Sequence, residues 1–272
     1  MKQKTLQGVT IPSIGLGTFN LKEDTCVEAV KDALEIGYRH IDTAQFYDNE
    51  AAIGTGLKAS AVNRNDIWLT TKIWHDRLSA EDINRTFDES LKKLQTDYVD
   101  LLLIHWPTTT GVPLEESLEA MTKIKEEGKA INIGVSNFPP AMFKEAIGLA
   151  NIICNQVEYH PLLSQKELHT LAVENDTFLT AYSPISQGKV FKEELLLDIA
   201  SKYNKNAAQV ALRWLLQQDN VLAIPRSSKH ENRTLNIDVF DFELSNEEIE
   251  QISELAASTN YRIVNPAFAP EW

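Results

Sequence analysis

The feature that most constrains this chain is an alternation, repeated eight times, of short unbroken apolar runs with amphipathic stretches. The strand candidates are residues 14–17, 39–42, 68–73, 99–105, 131–136, 155–159, 180–183 and 221–225. They are rich in Ile, Leu and Val and show little alternation of apolar with polar residues, the pattern of parallel strands buried on both faces. The stretches between them carry helix signals. Ser79-Ala80-Glu81-Asp82 and Ser245-Asn246-Glu247-Glu248 read as capping boxes. Gly37 and Gly128 fall where helix C-termini need a residue tolerant of positive φ, and Pro113 and Pro140 sit near helix starts. The seventh helical region, 192–218, is broken near Asn204–Asn206, and the eighth, 230–236, is short. Eight strand–helix units within about 220 residues predict a (β/α)8 TIM barrel, with an open doubly wound sheet as the alternative. Residues 4–7 and 9–11 flank Gly8 and predict an N-terminal hairpin closing the barrel bottom. Residues 245–258 predict a C-terminal extra helix, followed by an irregular tail, 259–272.

The 272 residues suit a single barrel domain, 1–272, because no linker-like or low-complexity stretch divides them. With 26 basic against 39 acidic residues the net charge is −13, which argues against nucleic acid and against an anionic membrane as partners. The first twenty residues lack the apolar core of a signal peptide, and no apolar run approaches the roughly 18 residues of a membrane span. Cys26 and Cys154 are far apart, which excludes a disulfide framework and suits a cytoplasmic location. The six histidines show no metal-ligand spacing, so no metal is expected.

In a barrel, the C-terminal ends of the strands face the active site. Here those ends carry polar or ionisable residues directly after apolar runs: Asp42, Lys72, His105, Ser136-Asn137, the segment Asn155-Gln156-Val157-Glu158-Tyr159-His160-Pro161, Tyr182-Ser183 and Arg226. A lysine such as Lys72 at a buried strand end costs desolvation unless it is paired. Asp42 is its natural partner, since adjacent strands lie about 5 Å apart. Tyr47 follows five residues after Asp42 in a short loop and can reach the same point. His105 ends the most hydrophobic strand and precedes Trp106-Pro107. Each of the four has a plain structural reading, as rim ion pair, surface tyrosine or satisfied core histidine; their convergence is what points to chemistry. The expectation is that Lys72 lowers the phenol pKa of Tyr47, that Asp42 keeps Lys72 charged, and that neutral His105 donates a hydrogen bond to a carbonyl oxygen. This is general-acid machinery for reducing a C=O group, with the hydride supplied by a nicotinamide.

Gly15-Leu16-Gly17-Thr18-Phe19, Gly37-Tyr38-Arg39-His40-Ile41-Asp42-Thr43-Ala44, Ile104-His105-Trp106-Pro107, Gly134-Val135-Ser136-Asn137-Phe138 and Ile224-Pro225-Arg226-Ser227 stand in this order along the chain. Together with the tetrad they resemble the aldo-keto reductase family over essentially the whole length. Within it the chain is most similar to the short bacterial 2,5-diketo-D-gluconic acid reductases, the B type included, through the brief loop after His105 and the ending Ala269-Pro270-Glu271-Trp272.

The resemblance implies a barrel that uses NADPH (NADP) to reduce small aldehydes and ketones, as a monomer without an obligate protein partner. Tyr47 would be the proton donor, with Asp42, Lys72 and His105 completing the catalytic tetrad. Ser136, Asn137 and Gln156 would hold the nicotinamide carboxamide, Tyr182 would stack on its ring, and Ser183 and Ile185 would line the pyrophosphate path. Gly17, Thr18, Phe19, Ile224, Arg226, Ser227, Ser228, Lys229, Arg233 and Asn236 complete the cofactor set. Phe19, Trp74, His105 and Trp106 would wall the substrate pocket, with Trp272 as a candidate lid. The chain departs from the family where Phe19 replaces a frequent Trp, and where Asn232 takes the usual position of an arginine that grips the 2′-phosphate, with Arg233 one step on. Residues 226–233 still carry three basic residues and one acidic. By contrast, residues 238–254 hold seven acidic residues and no basic one and read as solvated surface.

A Schiff-base aldolase is the competing enzyme class, because a strand-end lysine also suits that chemistry, but it needs Lys72 uncharged. A non-catalytic nucleotide-binding member of the same fold is the third reading. Diketo sugar acids and methylglyoxal both suit the expected pocket.

Overall fold

The computed structural model describes residues 2–272. It opens with a hairpin of β1 (Gln3–Leu6) and β2 (Val9–Pro12), paired antiparallel. The two turn residues, Gln7 and Gly8, have φ of 50° and 77°, the left-handed pair that a two-residue hairpin turn of this hand requires.

Eight parallel strands follow: β3 (Leu16–Gly17), β4 (His40–Asp42), β5 (Trp68–Ile73), β6 (Val99–Ile104), β7 (Ala130–Ser136), β8 (Cys154–Glu158), β9 (Phe178–Tyr182) and β10 (Val221–Ala223), paired in chain order. The helices between them are α1 (Glu23–Glu35), α2 (Glu50–Ala59), α3 (Ala80–Leu94), α4 (Leu114–Glu126), α5 (Pro140–Leu149), α6 (Lys166–Glu174), the pair α7 (Glu194–Lys202) and α8 (Ala207–Gln217), α9 (His230–Ile237) after the last strand, and the extra helix α10 (Asn246–Thr259). Ile14 bridges Ala223 in parallel, and Gly15 N–H donates to Ala223 O at 2.9 Å, so the first and last strands meet. That seam makes the sheet a barrel and excludes the open doubly wound alternative. A Cβ at Gly17 would lie 2.7 Å from Ile224 O, so the close approach at the seam needs glycine there.

Strand alternation sorts the side chains into two layers. Leu69, Leu102, Ile104, Ile133, Val135, Leu179 and Ala181 pack outward among the helices. Trp68, Leu101, Leu103, Cys154, Phe178 and Leu222 form a second, inner cluster, against which Leu6 and Val9 of the hairpin pack. The inner face is therefore apolar at the hairpin end and becomes polar toward the C-terminal ends of the strands.

Most predicted elements occur within a residue or two of the expected bounds. The strand predicted to end at His105 stops at Ile104, and that predicted to end at Pro225 stops at Ala223. The seventh helical region is two helices, and Asn206 opens the second with a full capping box to Gln209. The Ser245–Glu248 capping box is complete, whereas at Ser79 the Asp82 carboxylate accepts from the Ser79 hydroxyl and not from the cap's backbone N–H. Among the described residues no helix is long and apolar enough to cross a membrane.

Candidate active site

β4, β5 and β6 end side by side, and their last inward residues meet. Lys72, fully buried, donates to Asp42 Oδ1 at 2.5 Å, to the Thr43 carbonyl at 2.7 Å and to the Tyr47 hydroxyl oxygen at 3.4 Å. Three acceptors around Nζ are the complement of an ammonium, which carries three donors and no acceptor. Because Tyr47 Oη accepts from Lys72, its own hydrogen is left to donate elsewhere. The Tyr47 loop is a short 3-10 turn, Gln45–Tyr47, fixed by Lys22 Nζ donating to the Tyr47 carbonyl at 2.5 Å.

His105 lies just beyond β6, and its ring stands edge-on to Tyr47 at 5.6 Å and to Trp74 at 5.0 Å between centroids. Its buried Nδ1 has no hydrogen-bond partner. Burial, with lesser repulsion from Lys72 and His75, pushes His105 well below the ordinary imidazole value, so the ring is neutral near pH 7. Burial also draws Lys72 down, opposed by the Asp42 carboxylate. Burial and Asp42 together hold the Tyr47 phenol well above 10. The expected lowering by Lys72 does not prevail in the resting site, because desolvation and the Asp42 carboxylate both oppose the phenolate. The resting tyrosine is a protonated donor.

The other expected residues gather on the same rim, with partners within the protein. Ser136 Oγ donates to the Gln156 carbonyl at 2.8 Å. Asn137, at φ of 62°, directs Nδ2 to the His105 carbonyl at 2.9 Å and accepts from Tyr182 Oη at 2.8 Å. Gln156, expected at a carboxamide, spends its Nε2 on Asp42 Oδ2 at 2.7 Å, because both side chains point into the barrel. Ser183 and Ile185 sit in two tight turns closed by Ser186 N–H to Ser183 O and Gly188 N–H to Ile185 O, both 2.8 Å. Gly17, Thr18 and Ile224 lie at the barrel seam, where Thr18 Oγ1 donates to the Asp42 carbonyl at 2.8 Å.

Past β10, Arg226, Ser228 and Lys229 are exposed, and buried Ser227 accepts from Lys229 N–H at 3.1 Å. Arg226 donates to the Asn20 carbonyl at 3.3 Å, and among the described residues neither Arg226 nor Lys229 is in an ion pair. Arg233, expected in the cofactor set, has its partners within the protein. It is buried, donates to Asp32 Oδ2 from Nε at 2.7 Å, and also bonds the Ser227 carbonyl at 3.2 Å. One step of helix turns it toward α1 and away from the surface that Asn232 faces, and Asn236 is likewise buried on α9.

The mouth is aromatic. Phe46 stacks on Trp74 at 4.0 Å with an 8° interplanar angle, and Phe19 stands edge-on to Tyr47 at 5.2 Å. Phe268 from the tail closes on His75 at 4.1 Å, Trp106 at 5.6 Å and Trp74 at 5.8 Å. Trp272, the candidate lid, instead lies under the Arg262 guanidinium at 3.6 Å. Phe46, His75 and Phe268 carried no strand-end signal; Phe46 adjoins Tyr47, and Phe268 is one of three aromatics in the tail, with Tyr261 and Trp272.

The sequence profile of the aldo/keto reductase family matches residues 13–257. The chain is 42% identical over 269 residues to methylglyoxal reductase DkgB of Escherichia coli O157:H7, covering 97% of this chain and 100% of that one. It is also 42% identical to glyoxal reductase of Bacillus subtilis strain 168, over 93% of this chain and 91% of that one. Its structure superposes with a TM-score of 0.94, at 42% identity, on a crystal structure provisionally described as a 2,5-diketo-D-gluconic acid reductase B, covering 97% and 95% of the two chains. A tetrad of aspartate, tyrosine, lysine and histidine on a closed eight-stranded barrel, matched over nearly its whole length by such relatives, places this chain in the aldo/keto reductase family.

Proposed function

We propose that this aldo-keto reductase oxidoreductase reduces small aldehydes and ketones, methylglyoxal-like dicarbonyls or diketo sugar acids, at the expense of NADPH, with Tyr47 as proton donor. The observation that carries this reading is the hydrogen bonding at Nζ of Lys72: three acceptors hold an ammonium against Tyr47 Oη and leave the phenol proton free. The same arrangement disfavours a Schiff-base aldolase, whose lysine needs a free amine.

Exposed Arg226 and Lys229, without acidic partners, suit a phosphate dianion. Ser136, Asn137 and Gln156 would hold a nicotinamide, with Tyr182 against the ring, provided Gln156 shares its amide with Asp42. When bound, the reduced cofactor supplies the hydride to the carbonyl carbon. The protein supplies the proton. Tyr47 Oη gives its hydrogen to the carbonyl oxygen as that oxygen gains charge, and the product is the alcohol. Lys72 stabilises the phenolate left behind, and Asp42 fixes Lys72. Neutral His105 orients the carbonyl oxygen by donating one N–H. The aromatic mouth of Phe19, Phe46, Trp74, Trp106 and Phe268 favours flat, compact carbonyls.

The test is oxidation of NADPH, followed optically, across methylglyoxal, glyoxal and diketo sugar acids ranked by kcat/KM. Turnover of none of them overturns the reading. The same reading makes the chain a cytoplasmic monomer; size-exclusion chromatography with light scattering checks the monomer, and cell fractionation the location.

A further inference from the structure

One buried charge at the barrel rim takes no part in the tetrad. Glu158 ends β8 in register with Tyr182 and is completely buried. A carboxylate in such a place is costly unless donors surround it. Its Oε1 accepts from the Ile263 N–H at 2.7 Å and from His160 Nε2 at 2.9 Å, and its Oε2 accepts from the Val264 N–H at 2.8 Å. His160 Nδ1 accepts from Leu162 N–H at 3.2 Å, which puts the imidazole proton on Nε2, facing Glu158. Two of the three donors therefore come from the C-terminal tail, more than a hundred residues away in sequence. The Tyr261 N–H adds a bond to the Leu162 carbonyl at 2.6 Å. Four residues beyond Val264, after a turn closed by Ala269 N–H to Pro266 O at 2.8 Å, the tail sets Phe268 against Trp74, His75 and Trp106.

We propose that Glu158 is the positioning residue of the substrate pocket: its carboxylate clamps the amides of Ile263 and Val264 and so holds Phe268 as the pocket's outer wall. The clamp contributes to binding the carbonyl compound and not to the proton or hydride step, because no atom of Glu158 touches the tetrad's hydrogen bonds. The kinetic side of this inference rests on the carbonyl-reductase reading; the structural side does not.

Glu158→Gln keeps the shape but offers one acceptor oxygen, and its NH2 group faces a backbone donor. Hydrogen exchange at the Ile263 and Val264 amides should accelerate by about tenfold or more, the loss of one charge-assisted hydrogen bond. KM for methylglyoxal should rise by about tenfold, while kcat at saturation and the Kd for NADPH stay within about twofold. Phe268→Ala should give the same rise in KM, and the double variant should be no worse than Phe268→Ala alone, since both act through one wall. Ile263→Pro, which deletes one clamped N–H without touching the barrel, should reproduce the effect if Glu158→Gln fails to fold. Unchanged exchange at the two amides overturns the clamp. An additive double variant, or a loss confined to kcat, overturns its role in the pocket. If the wild-type protein reduces no carbonyl, the functional reading fails, and the exchange measurement still decides the clamp.

Discussion

Gln156 reaches across the barrel to Asp42, Nε2 to Oδ2 at 2.7 Å, although β8 and β4 are not neighbours in the sheet. Asp42 is thereby held on both oxygens, by Lys72 on one and Gln156 on the other. The pairing links the expected carboxamide site to the proton-delivery group. Gln156→Leu leaves one buried carboxylate oxygen without its donor, and stability should fall by about 1–3 kcal/mol. Because Asp42 aims Lys72, kcat should fall as well. Urea unfolding and steady-state kinetics check both, and an unchanged midpoint would mean the cross-barrel bond contributes nothing.

Tyr47→Phe removes the one hydroxyl that Lys72 addresses on the substrate side. Loss of a general acid lowers kcat by about 10²–10⁴-fold. Binding of NADPH, read by quenching of protein fluorescence, should hardly change, because the ring still fills its place between Phe19 and His105. Retention of more than half the wild-type kcat would remove Tyr47 from the mechanism.

Lys72→Met should be about as damaging as Tyr47→Phe, and the double variant scarcely worse than either. The two groups share one hydrogen bond and act as one proton-delivery unit, so their effects do not add. Multiplicative losses in kcat would show that they act separately.

The barrel bottom carries a titratable group with a purely structural consequence. His40 is buried on β4 between the Pro12 carbonyl and Thr70, and burial pushes it down to about 4. Asp42 and Lys72 are the charged groups that act on it, with opposite signs. In the unfolded chain the same imidazole titrates near 6.5. As pH falls below 6.5 the unfolded state takes up a proton that the native state refuses until about pH 4. Stability therefore declines across that window by about 3 kcal/mol from this group. His40→Gln should remove this part of the slope between pH 7 and pH 4.5 in urea unfolding, whatever it does to the absolute midpoint. An equal slope in wild type and variant would place the acid lability elsewhere.

The strands that carry the tetrad were legible because each places an ionisable residue at or next to its C-terminal end, where the barrel opens. Trp68–Ile73 with Lys72 near its end shows it most plainly. What alternation does not contain is which inward residues meet across the barrel. Gln156 and Asp42 are 114 residues apart, and only closure at Ile14 and Ala223 brings them together. The tail was illegible for a related reason. Its path follows from amides bonding to Glu158, and backbone donors leave no mark in sequence; the aromatic ending offered Trp272 as a candidate lid, while Phe268 is the tail ring that stands against Trp74, His75 and Trp106. Arg233 stands one residue of helix, about 100° of rotation, from Asn232, which is enough to separate a buried cation from an exposed side chain.

That rotation separates the cations that follow β10. Arg226 and Lys229 are exposed and unpaired among the described residues, while Arg233 is bound to Asp32 and to the Ser227 carbonyl. Two charge-assisted hydrogen bonds to a 2′-phosphate, at roughly 1.5–3 kcal/mol each, correspond to about 10²–10⁴-fold preference for NADPH over NADH, less where water competes. Arg226→Ala with Lys229→Ala should remove most of that preference by raising KM for NADPH and leaving KM for NADH nearly unchanged, since NADH has no group there to lose. The preference should also shrink at high salt, because the site is exposed. Arg233→Ala should behave differently. It breaks a buried pair between α1 and α9 and leaves Asp32 with His230 alone, so it should lower the unfolding midpoint while keeping the ratio of the two kcat/KM values. Measuring that ratio for wild type and the three alanine substitutions separates the cations. A ratio that collapses in Arg233→Ala and survives in the other pair would mean that Arg233 leaves Asp32 for the phosphate when the cofactor binds.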